Sequence, residues 1–158
     1  MQTAFIHTPL GILELKGNAD GLSAVLFRDS EVAEVSAKVP EELKVAAMQL
    51  QEYFEGKRRE FNLKLAPKGT DFQKRVWEQL QEIPFGKTVS YQQMANLLGD
   101  PKVIRAAASA NGKNPISIII PCHRVIGSDG SLTGYAGGLH RKKWLLEHEN
   151  PSTQQTLF

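Results

Sequence analysis

The alternation of apolar and polar residues predicts a small sheet at the N-terminal end of the chain. Three segments rich in β-forming residues are separated by turn residues: 3–8, 11–16 and 22–28. Between Pro40 and Gly56, apolar residues recur at helical spacing. We therefore predict a three-stranded meander with one helix packed across it.

Two capping-box signatures begin the predicted helices of the second half. Thr70 with Gln73 opens one helix, and Ser90 with Gln93 opens the next. An Ala-rich helix follows over residues 102–111. Two short helices joined by a tight turn are typical of a helix-turn-helix, but any hairpin of helices can produce this pattern, so it leaves DNA binding open.

The remaining pattern completes the domain organisation. The apolar run 116–120 predicts a buried strand, the Gly-rich stretch 127–138 a loop, and residues 139–149 a last helix. The predicted order along the chain is an N-terminal α/β domain (1–65), a linker (66–69), a C-terminal domain (70–150) and a loosely ordered tail (151–158).

Composition narrows the class of protein. Of 158 residues, 41% are apolar and 23% charged, no apolar run approaches the roughly 20 residues of a membrane span, and a signal-peptide layout is absent. The single cysteine excludes an internal disulfide and a Cys-rich zinc site, and it favours a reducing, cytoplasmic location. Residues 69–158 carry 10 Lys/Arg and 7 Asp/Glu, a balance of +3, so this half is the one to face a phosphate backbone.

Cys122 is the residue with the clearest chemical potential. It follows a proline, which cannot donate to a strand ladder, and it precedes a histidine and an arginine. A free cysteine is most often a small buried hydrophobe. Beside two potential cations at a strand end, however, its thiol pKa can be lowered, and we favour the interpretation that it is a nucleophile.

His123 is the nearest candidate base for Cys122. Neighbouring side chains of an extended segment point to opposite faces, so His123 needs a bent backbone or a bridging water to take the thiol proton. It also needs a partner that fixes its tautomer. Glu147 and Glu149 are the only carboxylates after Asp129, but a glutamate in a terminal helix is more often solvated, so the residues alone leave the partner open.

Other residues have an ordinary structural explanation beside a functional one. Arg105 in the Ala-rich helix is by itself a surface arginine, and Tyr91 and Tyr135 suit amphipathic core positions. The run 141–143 (Arg-Lys-Lys) is typical of the solvated side of a helix. The histidines show no ligand spacing, so no metal site is predicted.

The segment Ile-Pro-Cys-His-Arg-Val, residues 120–125, resembles the active-site signature of the O6-alkylguanine-DNA alkyltransferases. Further segments recur in the family's order and spacing: Val89-Ser-Tyr-Gln-Gln-Met-Ala, Arg105, Gly112-Lys-Asn-Pro115, Gly134-Tyr-Ala-Gly-Gly-Leu139 and Trp144-Leu-Leu-Glu-His-Glu149. The resemblance covers about residues 70–150 and is only architectural over the first 65.

This resemblance implies an α/β (α+β) fold with a ribonuclease H-like N-terminal domain and a winged-helix-like C-terminal domain. It implies DNA repair by irreversible, single-turnover transfer of an alkyl group from O6 of guanine to Cys122, and it leaves O4 of thymine open as a second target. The implied partner is double-stranded DNA carrying O6-alkylguanine. No cofactor, metal, membrane or obligate protein partner is implied, and the protein is expected to be a cytoplasmic monomer.

The resemblance also implies the roles of four catalytic residues. Cys122 is the alkyl acceptor, His123 acts as base through a water, and Glu149 orients His123. Tyr91 helps to rotate the nucleotide and donates a proton to the guanine leaving group.

Nine further residues have implied roles in DNA or base binding. Arg105 fills the space left by the flipped nucleotide, and small residues let its helix lie close to a minor groove: Ala106, Ser109 and Ala110. Asn114 braces the turn before the active-site strand. The base pocket is lined by Val125 and the loop of Tyr135, Ala136 and Gly137; where many members have a serine this chain has Ala136, so a hydroxyl contact to guanine O6 is lost.

The alternative is a winged-helix DNA-binding regulatory module whose cysteine is structural or redox-sensing. Such a module would bind DNA without taking an alkyl group from it. The presence of Cys122 is evidence against a different class, the relatives that bind damage without repairing it, because these replace the acceptor cysteine, usually by tryptophan. It does not exclude the regulatory module.

Overall fold

The computed structural model of the protein describes residues 1–29 and 38–151, which fall into two compact units. The first unit is Met1–Lys68 together with Pro115–Ser117, and the second is Gly69–Asn114 together with the chain from Ile118 onward. The predicted tail lies, from residue 152, outside the described residues. None of the helices in the described ranges combines the length and apolar character needed to cross a bilayer.

In the part of the chain that the structure describes, the first unit is a three-stranded sheet with one helix, as predicted. Its elements are β1 (Gln2–Thr8), β2 (Gly11–Asn18), β3 (Gly21–Arg28) and α1 (Glu41–Phe54). The central strand β2 pairs antiparallel with both neighbours, and α1 packs mainly on β1 and β2. Leucines at positions 13 and 15 of the sheet and at positions 43 and 50 of the helix are fully buried and form the core of this unit.

The outer edge of β3 is extended by a short piece from later in the chain. Ile116 forms an isolated parallel bridge with Val25, whose backbone N–H donates to Pro115 O (2.9 Å) and whose carbonyl accepts from Ser117 N (3.0 Å). The sequence predicts these residues in the 70–150 domain, whereas Pro115–Ser117 belong to the first unit.

The prediction of a strand over 116–120 is wrong beyond its first residue. Residues 117–119 form a turn, and Ile118 has φ = 73°, in the left-handed region that β-branched residues rarely adopt. All five residues are nevertheless buried. The apolar run therefore reported burial correctly, but burial alone does not distinguish an extended chain from a buried turn.

Among its described residues, the second unit contains four α-helices and two very short strands. Its elements are α2 (Asp71–Leu80), β4 (Val89–Ser90), α3 (Tyr91–Leu97), α4 (Ile104–Gly112), β5 (Val125–Ile126) and α5 (Leu139–Glu149). Both predicted capping boxes are confirmed: Gln73 N donates to Thr70 Oγ1 (3.1 Å), Gln93 N donates to Ser90 Oγ (3.0 Å), and each glutamine side chain accepts the backbone N–H of its capping residue.

Helices α3 and α4, joined through a 3-10 turn at Pro101–Val103, form the predicted helix-turn-helix. Helix α4 packs against both α2 and α3. Trp77 of α2 is buried, and its indole N–H donates to the carbonyl of Ala110 at 2.9 Å, which satisfies a carbonyl near the end of α4. Strands β4 and β5 pair in parallel and connect the start of α3 to the segment that follows Cys122.

Candidate active site

Cys122 lies in a single 3-10 turn, Cys122–Arg124, directly before β5. The sequence predicted the end of a strand here, and this is wrong. The turn is closed by hydrogen bonds from Cys122 N to Ile120 O (2.8 Å) and from Arg124 N to Pro121 O (3.0 Å). Because the backbone is bent, Cys122 and His123 are not held on opposite faces as they would be in a strand.

His123 is paired with the last residue of α5. Its Nε2 lies 2.8 Å from Glu149 Oε2, and both side chains are buried. Glu149, and not Glu147, is thus the carboxylate that meets the imidazole. This hydrogen bond places the ring proton on Nε2 and leaves a lone pair on Nδ1, which is buried and has no hydrogen-bond partner among the described residues.

Arg124 occupies the other side of the same carboxylate. Its Nε–H donates to Glu149 Oε1 at 2.7 Å and its Nη2–H donates to Oε2 at 2.9 Å. This is the two-pronged geometry in which guanidinium and carboxylate bind most strongly. The charge of Arg124 is therefore compensated by Glu149.

The protonation state of the site differs from the sequence-based expectation of a low thiol pKa. Burial raises the pKa of the Cys122 thiol to about 11, and the side chain of Asn114 and the charge of Lys142 oppose this only in part. Burial likewise lowers the pKa of His123 below its ordinary value, against the pull of Glu149. The resting site at neutral pH is thus a protonated thiol beside a neutral imidazole, so the thiol must lose its proton during the reaction.

Lys142 is a site residue that sequence analysis missed. It was expected on a solvated helix face, but its side chain is fully buried. Its Nζ donates to the carbonyl of Thr133 at 2.7 Å, and it lies 5.8 Å from the centroid of the Tyr91 ring, whose hydroxyl donates to the same carbonyl at 3.2 Å. Burial lowers the pKa of Lys142 to about 8, while the nearby Cys122 raises it.

Two buried asparagines hold the segment before and within the 3-10 turn. Asn114 Nδ2 donates to Ile120 O at 2.7 Å, a contact consistent with the bracing role that the resemblance implies. Asn111 Nδ2 donates to the carbonyl of Cys122 at 3.4 Å. Asn111 was not singled out from the sequence, because an asparagine near a helix end has many ordinary explanations.

The predicted pocket residues lie on β5 and in the loop before α5. Val125 is fully buried on β5. In the loop, Tyr135 and Gly137 are buried while Ala136 is exposed, and the carbonyl of Gly137 accepts from Arg141 Nη1 at 3.1 Å.

The predicted DNA-contacting residues of α4 divide between its two faces. Arg105, Ala106 and Ser109 are exposed on one side. Ala110 is 2% exposed and lies on the inner side with Ala107, so its assignment to the DNA-facing surface is wrong. Positions three apart share a helix face, which places Ala107 and Ala110 together against the core of the unit.

Family models cover both units. Residues 71–151 match the DNA-binding domain of 6-O-methylguanine DNA methyltransferase, and residues 1–67 match the ribonuclease-like domain of the same protein. The chain belongs to this family.

Relatives in the family are similar along almost their whole length. The methylated-DNA–protein-cysteine methyltransferase of Methanosarcina barkeri is 51% identical over 148 residues, covering 91% of this chain and 94% of the relative. The protein of the same name from Mycobacterium tuberculosis is 46% identical over 147 residues, covering 91% and 89%. Among solved structures, the M. tuberculosis OGT in complex with DNA superimposes with a TM-score of 0.86 at 42% identity, covering 96% of this chain and 94% of that one.

In this methyltransferase the structure thus assembles a thiol, a neutral imidazole of fixed tautomer and a carboxylate–guanidinium pair. Lys142 adds a cation for which the described residues include no carboxylate partner. This set of groups suits removal of a proton from sulfur and stabilisation of the resulting negative charge.

Proposed function

We propose that this protein repairs DNA by transferring an alkyl group from O6 of guanine to Cys122. The observation that carries the proposal is the 2.8 Å contact between His123 and Glu149. His123 directly follows Cys122, the only cysteine of the chain. The chain is 51% identical to a methylated-DNA–protein-cysteine methyltransferase. A buried imidazole whose Nε2–H is held by a carboxylate can accept a proton at Nδ1.

The reaction begins with loss of the thiol proton. With a pKa near 11 the thiol of Cys122 is a poor nucleophile, so His123 takes its proton through a bridging water and becomes imidazolium. Glu149 stabilises the imidazolium by its charge and by the hydrogen bond to Nε2. Lys142 and the side chain of Asn114 stabilise the thiolate that forms.

The thiolate then attacks the alkyl carbon in line with the carbon–oxygen bond. A carbon–sulfur bond forms, the carbon–O6 bond breaks, and its electron pair goes to the guanine. The hydroxyl of Tyr91 donates a proton to the guanine ring, and the proton on His123 restores the phenol through solvent. Sulfur suits this step because it is strongly nucleophilic at modest basicity.

The product is a thioether on Cys122. Unlike a thioester, a thioether has no carbonyl for water to attack, so hydrolysis does not restore the thiol. Each molecule therefore accepts one alkyl group, and the reaction is stoichiometric.

The target base lies inside a duplex, so it must be rotated out of the stack at a cost of a few kcal/mol. The exposed face of α4 suits this step because its side chains are short apart from Arg105, which can occupy the gap left in the stack. Contacts of this kind do not distinguish one base sequence from another. Such sequence-independent binding suits a protein that must find lesions in any sequence. We place the protein in the cytoplasm, since it acts on DNA and its single cysteine is free of any disulfide.

The test separates repair from the regulatory alternative with one substitution. Cys122→Ala is expected to abolish methyl uptake from a duplex containing O6-methylguanine, because the acceptor atom is gone. Binding of that duplex, measured by fluorescence anisotropy, should stay within about twofold of wild type, since the exposed face of α4 is unchanged. A wild-type protein that binds the duplex but takes up no methyl group would support the regulatory module and contradict the proposal.

A further inference from the structure

Arg124 makes more contacts than its ion pair with Glu149 alone. Its guanidinium makes two hydrogen bonds to Glu149, of 2.7 and 2.9 Å, and a third from Nη1 to the carbonyl of Ile83 at 2.6 Å. It also lies 5.9 Å from the centroid of the Phe85 ring. The turn that follows α2 thus fixes the guanidinium, and the guanidinium fixes the plane of the carboxylate.

Glu149 consequently shares one negative charge between two partners. Its Oε2 accepts from both His123 Nε2 (2.8 Å) and Arg124 Nη2, while Oε1 accepts from Arg124 Nε. A carboxylate facing only an imidazole attracts a proton onto that imidazole, and an imidazolium has no lone pair with which to accept the thiol proton. The guanidinium offsets part of this attraction before the reaction begins, since Arg124 lowers the pKa of His123 while Glu149 raises it.

We propose that Arg124 is a positioning residue for alkyl transfer, which orients Glu149 and balances its charge so that His123 meets Cys122 as a neutral base. The inference rests on the proposed function. It assigns to Arg124 a role exerted entirely through Glu149 and His123, without contact with the substrate.

The charges around His123 agree with this role. Glu149 and Lys142 act on it from α5, Arg124 acts from its own turn, and Cys122 precedes it. Glu149 raises the pKa of His123, whereas burial, Arg124 and Lys142 lower it. Loss of the positive charge of Arg124 should therefore raise the pKa of His123, so that a higher pH is needed to make it neutral.

The experiment measures the single-turnover rate of methyl transfer at saturating duplex across a pH series. In wild type, the rate should fall on acidification with a midpoint below 6.5, the ordinary pKa of histidine, because the buried ring resists protonation. In Arg124→Met the midpoint should rise by about one pH unit or more. Arg75→Met, which removes an exposed arginine of α2, should leave the midpoint in place.

The variant Glu149→Gln checks the sign of the charge effect. It removes the carboxylate that raises the pKa of His123, so its midpoint should lie below that of wild type, opposite to the shift expected in Arg124→Met. A merely structural arginine would instead lower the rate by the same factor at every pH, and that result would overturn the inference.

The wild-type measurement keeps the inference testable if Arg124→Met does not fold. A wild-type midpoint above 6.5 would mean that Glu149 acts on His123 without compensation, and it would overturn the role given to Arg124. Absence of any methyl transfer by the wild-type protein would instead contradict the proposed function, so the two failures are distinguishable.

Discussion

At the scale of single residues, two buried cations that act on the Cys122–His123 pair, Arg124 and Lys142, have different partners. Arg124 is held by a carboxylate in a two-pronged ion pair, whereas Lys142 is held by the carbonyl of Thr133. A carbonyl offers a dipole and no net charge, so the positive charge of Lys142 remains available to stabilise a thiolate. This explains why the pKa of Cys122 is lowered by Lys142 and is raised only by burial.

Replacing Lys142 by Met should slow methyl transfer about tenfold near pH 7, because the thiolate loses the cation whose charge lowers the pKa of Cys122. The pKa of Lys142 is about 8, so its charge is present below that pH and lost above it. The advantage of wild type over Lys142→Met in single-turnover rate should therefore shrink as the pH is raised to about 10.

The neighbouring substitution Lys143→Met is the matched control. Lys143 lies on the same helix but is only half-buried, and its removal should change the rate little at any pH. A ratio of wild-type to Lys142→Met rates that is the same near pH 7 and near pH 10 would contradict the electrostatic role.

Neither cation could be recognised from the sequence. The run 141–143 (Arg-Lys-Lys) has the composition of a solvated helix face, and Arg124 was considered only as a cation that lowers the thiol pKa. Their actual roles depend on which carboxylate and which carbonyl the tertiary fold brings to them, and no local pattern contains that information. Glu149 illustrates the same limit, since residue-level reasoning alone could not choose between it, Glu147 and solvent.

At the scale of elements, helix α4 has one buried face and one exposed face. Ala107 and Ala110 pack inward, where the carbonyl of Ala110 accepts from Trp77, while Arg105 projects from the exposed side. The small residues on both faces let α4 approach the rest of its own unit and leave an outer surface whose side chains, apart from Arg105, are short.

Arg105→Ala should slow repair of O6-methylguanine in a duplex more than in a single strand, because only the duplex leaves a gap in the stack that an arginine can fill. Lys102→Ala is the matched control, since it removes an exposed positive charge from the turn before α4 without removing the stack-filling group. It should reduce repair of both substrates alike, through weaker phosphate attraction. Equal slowing of both substrates by Arg105→Ala would contradict the role given to Arg105.

The elements were predictable where the signal is local. Thr70 with Gln73 and Ser90 with Gln93 marked two helix starts correctly, because a capping box satisfies backbone N–H groups within one turn of chain. The backbone conformation of residues 116–120 could not be predicted, because an apolar run indicates that residues are buried but not whether the chain is extended. The only strand-like contact of this segment with the described residues, between Ile116 and Val25, joins positions far apart in the sequence.

At the scale of the whole molecule, charge and cysteine content are consistent with a single-use DNA repair protein. The net charge is only +2, but residues 69–158 carry a balance of +3, in the half that matches the DNA-binding domain of the family. The chain contains one cysteine, so the acceptor has no competitor of its own kind within the molecule. One alkyl group per chain is therefore the expected capacity.

The most direct test of the account is the mass of the intact protein after incubation with excess O6-methylguanine duplex, followed by mapping of the modified peptide. The account predicts that every active molecule gains one methyl group, that the group lies on Cys122, and that Cys122→Ser gains none. Repair of the duplex with no change in protein mass, a methyl group on another residue, or more than one methyl group per chain would contradict it.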